Sequence, residues 1–166
     1  MSVLDQIKQK AGVQLRAATR AELESLRSLG MPQDAIEFYR VAMPTRMAEI
    51  AKVRLWTFSD IVLENNDAVP GIYALPCGYT VFASTDCGDA YCFDTLSKSD
   101  KIVPIVLIAH DLEPDDEKMA REDLSKLAKP IAESLDKFLE GFVAGTLDRK
   151  PLYPPFDFGK DTNGTA

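Results

Sequence analysis

Residues 78–96 read GYTVFASTDCGDAYCFDTL: two aromatic and β-branched runs, GYTVFAS and AYCFDTL, separated by Thr85-Asp86-Cys87-Gly88-Asp89. Such runs suit a pleated sheet surface. Gly88 accepts a positive φ and the aspartates bond locally, so the segment predicts a β-hairpin. Along its first strand, Tyr79, Val81 and Ala83 point to one face, while Thr80, Phe82 and Ser84 point to the other. A third strand, Lys101 to His110, carries IVPIVLIAH. Its near-continuous apolar character implies burial on both faces, with Pro104 marking an edge, a bulge or the strand start. Residues 50–57, IAKVRLWT, read as a further strand that leads into a short helix capped by Ser59 and running to Asn66. Trp56 is expected in the core.

Helical signals flank these strands. Val3, Leu4 and Ile7 suggest a short amphipathic segment. Thr19-Arg20-Ala21-Glu22 spells a capping box, and Gly30 offers a left-handed C-terminus. Pro32 opens a second turn pattern in which Ile36, Phe38, Tyr39 and Val41 form an apolar stripe until Pro44. At the other end, KPIAESLDKFLEGFVA (Lys129 to Ala144) places Ile131, Leu135, Phe138, Leu139 and Phe142 on one helical face before Gly145. The resulting fold class is α+β, with a central antiparallel sheet covered by N-terminal helices and a C-terminal helix. Repeated βα units, a G-x-G-x-x-G string and a Walker A string are all missing, which argues against Rossmann-like and barrel readings. At 166 residues the chain suits one domain, expected over 1–150. Residues 151–166 form a Pro-rich, partly disordered tail in this reading, with Tyr153, Phe156 and Phe158 either packing back or serving as a ligand for an aromatic groove.

Nineteen Lys/Arg against 26 Asp/Glu give a net charge of −7. Residues 1–54 carry +3 and residues 55–166 carry −10. That balance repels phosphate backbones and disfavours direct nucleic-acid binding; a charged partner is expected to be basic. The single histidine, His110, excludes multi-histidine metal sites. Cys77, Cys87 and Cys92 are odd in number and form no C-x-x-C pair, which fits a reducing compartment. With no apolar leader and no membrane-length run, the expectation is a cytoplasmic protein without membrane insertion. Asn163-Gly164-Thr165 matches a glycosylation sequon that such a location leaves unused.

Three constellations are candidates for chemistry. His110, beside Asp111, could activate one of the three thiols, although no spacing favours a particular one; the simpler reading makes Cys92 a core residue and His110 a strand end meeting a neighbouring carboxylate. Paired carboxylates at the turn (Asp86, Asp89) and in the following loop depart from the calcium-loop pattern. The third constellation is the acidic run after the third strand. Asp86, Asp89, Asp111, Glu113, Asp115, Asp116 and Glu117 are therefore assigned as contacts to a basic protein partner, with no catalytic residue, cofactor or metal expected.

The order of these segments resembles the SUKH superfamily, the Smi/Knr-type proteins, over about residues 32–145. The resemblance is carried by RLWTFSDIVLENND with Leu55 and Ile61, by Phe82-Ala83, Gly88-Asp89 and Tyr91 in the hairpin, and by Phe138-Leu139 in the closing helix. The sequence departs from the pattern at Val41-Ala42-Met43-Pro44, where members commonly carry Asn-Gly, and in the acidic insertion and proline-rich tail. The resemblance implies an α+β fold and a non-catalytic, protein-binding role. For bacterial members that role is immunity to polymorphic toxins, often nucleases; for fungal relatives it is regulation of cell-wall glucan synthesis. A Cys/His-dependent enzyme is the remaining alternative, and the oligomeric state is left open.

Overall fold

The hairpin forms as β5 (Tyr79–Thr85) and β6 (Ala90–Asp94), antiparallel, in a computed structural model that describes residues 1–97, 102–112 and 118–153. On one side β6 pairs with β7 (Ile105–Ile108), which pairs in turn with β8 (Lys129–Ala132). On the other side β5 pairs with β4 (Val53–Leu55) and β4 with β3 (Ala48–Ile50), giving one six-stranded antiparallel sheet in sequence order. Helices α1 (Val3–Ala11), α2 (Arg20–Ser28) and α3 (Gln33–Ala42) precede it. A two-stranded sheet, β1 (Leu15–Arg16) with β2 (Met43–Pro44), ties the chain before α2 to the end of α3. Helices α4 (Phe58–Asp67) and α5 (Gly71–Ala74) and a 3-10 turn (Leu75–Cys77) join β4 to β5; α6 (Arg121–Leu127) precedes β8 and α7 (Leu135–Ala144) follows it. The α+β class expected from the sequence is the one observed.

Every residue of β5 and of β7 is buried, so the inner strands are covered on both faces. Phe82 stacks on Phe93 at 4.3 Å between ring centroids, and Phe138 of α7 meets Phe82 and Tyr91 edge-on at 4.9 and 5.1 Å. Such ring pairs add about 0.5–1.5 kcal/mol each beyond the area they bury. The register slips between Val81 and Ala83, so Phe82 is an extra residue opposite β6; a bulge of this kind bends the strand and adds twist.

Strand β4 reaches along β5 only from Thr85 to Ala83 before the chain departs into α4. Beyond that point the backbone of Val81 is served by a side chain: its N–H donates to Asn65 Oδ1 at 2.9 Å, and its carbonyl accepts from Asn65 Nδ2 at 2.8 Å. The same Nδ2 donates to Ile61 O within α4. Asn65 is 1% exposed, so it substitutes for a strand neighbour that the short β4 does not supply.

Four sequence expectations change. The single strand over residues 50–57 is a tight hairpin, β3 and β4, with Ala51 and Lys52 at φ 47° and 65°. Two positive φ angles are what a two-residue hairpin loop demands, but Gly and Asn normally supply them. Here the strain is held from outside: the Lys52 carbonyl accepts from Asp86 N at 2.9 Å, and Ala51 lies against Gly145. The helix over 129–144 begins only at Leu135, capped by the Ser134 hydroxyl, because Lys129–Ala132 is an edge strand in which Pro130 needs no donor. Helix α4 is capped by a Thr57/Asp60 box rather than by Ser59. Pro104 stands just before β7, so the strand begins at Ile105 rather than Lys101. The capping box at Thr19/Glu22, the positive φ of Gly30 and the burial of Trp56 stand as expected.

Replacing Asn65 by Ala is expected to cost about 2–4 kcal/mol in urea unfolding, because it leaves both polar groups of Val81 buried without partners. Gly71→Ala should destabilise by about 3 kcal/mol or more in the same assay, since an added Cβ would lie 1.8 Å from the Glu64 carbonyl oxygen.

Candidate functional site

Of the assigned partner contacts, Asp86 and Asp89 belong to the β5–β6 turn and Asp111 follows the end of β7, at the same end of the sheet. Thr85 N donates to the Asp89 carbonyl at 2.8 Å and Gly88 N to the Thr85 carbonyl at 3.1 Å, closing the loop with Gly88 at φ 95°. Gly88 is required by its backbone, and a Cβ there would also approach the His110 ring at 3.7 Å. Asp89 faces inward. It is 4% exposed, and its Oδ1 accepts from the His110 backbone N–H at 3.1 Å and lies 2.7 Å from His110 Nδ1. Thr85 Oγ1 takes the Asp89 N–H at 3.1 Å and bonds its Oδ2 at 3.4 Å. The carboxylate therefore locks the end of β7 onto the hairpin turn, and the charge assigned to a partner is spent within the fold.

Asp86 and Asp111 sit differently. Asp86 is half-buried and faces Arg149 Nη1 at 3.9 Å, while Asp111 is exposed just past β7. Glu113, Asp115, Asp116 and Glu117 lie outside the described residues, as do Phe156, Phe158 and the sequon. Of the assigned set, the structure thus brings Asp86, Asp89 and Asp111 to one end of the sheet and gives Asp89 a structural task.

The sequence did not signal the chain after α7 as part of this end. The Asp148 carbonyl accepts from the Tyr91 hydroxyl at 2.8 Å, and its carboxylate pairs with Lys129 at 2.7 Å, an attraction that holds the Asp148 carboxyl below its usual range. Arg149 then faces Asp86, and Tyr153 feels Asp89, Asp111 and Cys87; burial first and these neighbours second push its phenol up. A strap 57 residues away from Tyr91 in sequence leaves no local pattern to read.

The thiols are dispersed. Burial pushes Cys92 and Cys77 up, away from the thiolate form a nucleophile requires, and Cys77 Sγ donates to the Met119 carbonyl. Cys87 is exposed at the turn, with Sγ 3.8 Å from Asp86 Oδ1. No hydrogen bond joins His110 to a thiol among the described residues, and no group of three or more His, Cys, Asp or Glu there is arranged to hold a metal ion. No helix among them is long and apolar enough to cross a membrane.

The described residues form an α+β domain whose antiparallel sheet is braced at one end by the Asp89 and His110 contacts. The chain belongs to the SMI1 / KNR4 family (SUKH-1), whose model matches residues 16–141. Members of that family are generally non-catalytic proteins with protein-binding immunity or regulatory roles. A comparison with curated proteins finds no match. The matched span covers the entire six-stranded sheet and most of α7, while the strap carrying Arg149 and Tyr153 lies beyond it.

Asp89→Ala is expected to lose about 1–3 kcal/mol of stability in urea denaturation, because the part-buried His110 amide loses its acceptor. His110→Ala should cost under about 1 kcal/mol, since its imidazole is 43% exposed and solvent replaces much of the interaction.

Proposed function

We propose that this protein is an immunity protein that neutralises a basic toxin domain, a nuclease in the simplest case, by binding it through an acidic surface. One observation supports the reading: Asp89 holds the backbone and ring of His110 against the hairpin turn, so Asp111, the next residue, leaves from an anchored position at the end of the sheet that also carries Asp86. Preorganised carboxylates hold their charge in place before an encounter. A basic groove that normally receives phosphates meets them at the cost of few side-chain rotamers. The distribution of charge supports this, since residues 55–166 carry −10 and include the whole turn region. Family membership supports a protein-binding role of this kind, and the domain is taken as residues 1–150 with a distinct tail.

The decisive experiment co-expresses the protein with the toxin-like product of a neighbouring gene and measures growth and complex formation. Protection is expected, together with a complex whose association slows as salt rises. Reversing Asp86, Asp111, Glu113, Asp115, Asp116 and Glu117 to Lys should lower the association rate by about tenfold or more. A partner bound with no salt dependence removes the electrostatic part of the reading; absence of binding and protection removes the immunity reading for that pair. A regulatory protein of the cell-wall type would instead associate with several partners of moderate affinity and protect against none.

A further inference from the structure

On the far side of the chain's order from the turn, α1, α3 and α7 enclose an open groove of about 490 Å³. Its floor is apolar: Val3 and Leu4 from α1, Phe38 from α3, Leu135 and Leu139 from α7. Each wall carries two carboxylates, Asp34 and Glu37 on α3, Asp136 and Glu140 on α7.

Helix stability accounts for only half of these charges. Asp34 and Asp136 occupy first turns, where an acid favours the exposed N–H groups of the helix end. Glu37 and Glu140 lie beyond the first turn, where that benefit has faded. Among the described residues, no cation lies within 4.0 Å of Asp34, Glu37 or Asp136, while Glu140 meets the exposed Lys137 of its own helix at 3.0 Å. The walls act on each other: burial first, then Asp136 and Glu37, push the Asp34 carboxyl up. Lys137 offsets part of the charge on the α7 wall, but the two walls still carry four carboxylates to one lysine. Like charge across an apolar trough becomes favourable when cations enter with apolar groups between them.

The occupant's backbone is constrained as well. The groove is walled by helices and presents no unpaired strand edge, so a guest must satisfy its own N–H and C=O groups. Helices α3 and α7 each have 10 residues, about 15 Å at 1.5 Å per residue, which matches two to three turns of a guest helix.

We propose that the α1/α3/α7 groove is a docking site for a basic amphipathic helix of a partner protein, its apolar stripe on Phe38 and Leu139 and its Lys or Arg side chains on the two acidic walls. The inference rests on the protein-binding reading and not on the hairpin turn, so the two fail separately.

The test uses the full chain and a labelled synthetic peptide of about 14 residues, long enough for nearly four turns. The peptide carries Leu at i, i+3, i+4 and i+7 with Lys on both flanks; a scrambled peptide and a Glu-for-Lys peptide serve as controls. Anisotropy should show binding of the first peptide alone, and amide shift changes should map to α1, α3 and α7. The double variant Glu37→Gln/Glu140→Gln, which leaves both helix first turns and the apolar floor intact, should weaken binding by about tenfold with unchanged thermal unfolding. Equal binding of a control peptide, shift changes centred on residues 85–89 and 110–111, or unchanged affinity in the double variant overturns the groove. Concentration-dependent dimerisation that shields the same amides would do so too, by making a second copy the occupant. Loss of toxin protection by the turn variants, with the peptide still seated, leaves the groove standing and locates protection at the turn; failure of protection by the unmodified protein sinks the immunity reading alone.

Discussion

The carboxamide of Asn65 holds the sheet and its helical cover together. Strand β4 ends opposite Ala83, yet β5 continues to Tyr79, so a central strand would otherwise expose polar backbone in the interior. By giving Val81 both a donor and an acceptor, Asn65 lets the chain leave the sheet early and return as α4 and α5 across it. Each orphaned buried group would cost about 1–3 kcal/mol, a sizeable part of the 5–15 kcal/mol that typically separates a folded domain from its unfolded ensemble. The Gly71 backbone follows from the same arrangement. It lies so close to the Glu64 carbonyl that no side chain fits, which keeps α5 against the turn of α4 that carries Asn65.

At the opposite end of β5 a second buried acceptor plays the corresponding part. Asp89 receives the backbone of His110 and bonds Thr85, fastening the end of β7 to the turn that joins β5 and β6. The strained Ala51-Lys52 loop is fastened to the same place through the Lys52 carbonyl and Asp86 N. The turn region is thus tied down by several hydrogen bonds from distant segments, which would lower the ordering cost of any contact it makes. It also divides the aspartates by task, since Asp89 is consumed in building what Asp86 and Asp111 display.

Much of this architecture was legible because it is local. The hairpin, the buried third strand, the Thr19/Glu22 box and the apolar face of α7 each follow from residues within one or two turns or one strand pair of each other. Two of the misread segments, the loop at 51–52 and residues 129–132, share a different feature: their conformation is imposed from far away in sequence. Ala51 and Lys52 carry no Gly or Asn signature, and their positive φ angles are sustained by Asp86 and by the end of α7. Lys129–Ala132 has a helical spacing of apolar residues, Ile131 with Leu135, but β7 offers an edge and Pro130 can sit only where no donor is required. Among the candidate residues, Asp86, Asp89 and Asp111 are legible from turn chemistry and charge and Tyr153 from the aromatic tail, whereas Arg149 comes from a strap outside any local pattern. The inward role of Asp89 needed His110 in three dimensions.

The groove between α3 and α7 was illegible for the same reason and shows why net charge alone is a coarse guide. Asp34 and Glu37 belong to the first 54 residues, whose balance is +3, so a count along the chain hides half of the acidic lining of this groove. If both proposals hold, the two acidic features would act at different steps of association. Exposed charge at the turn acts over roughly a Debye length, about 8 Å at physiological salt, and so governs how often a basic partner arrives. Carboxylates above an apolar floor act at contact, where desolvated side chains set how long the partner stays. On that division, reversing the turn charges changes the rate of encounter, and neutralising Glu37 and Glu140 changes the rate of departure.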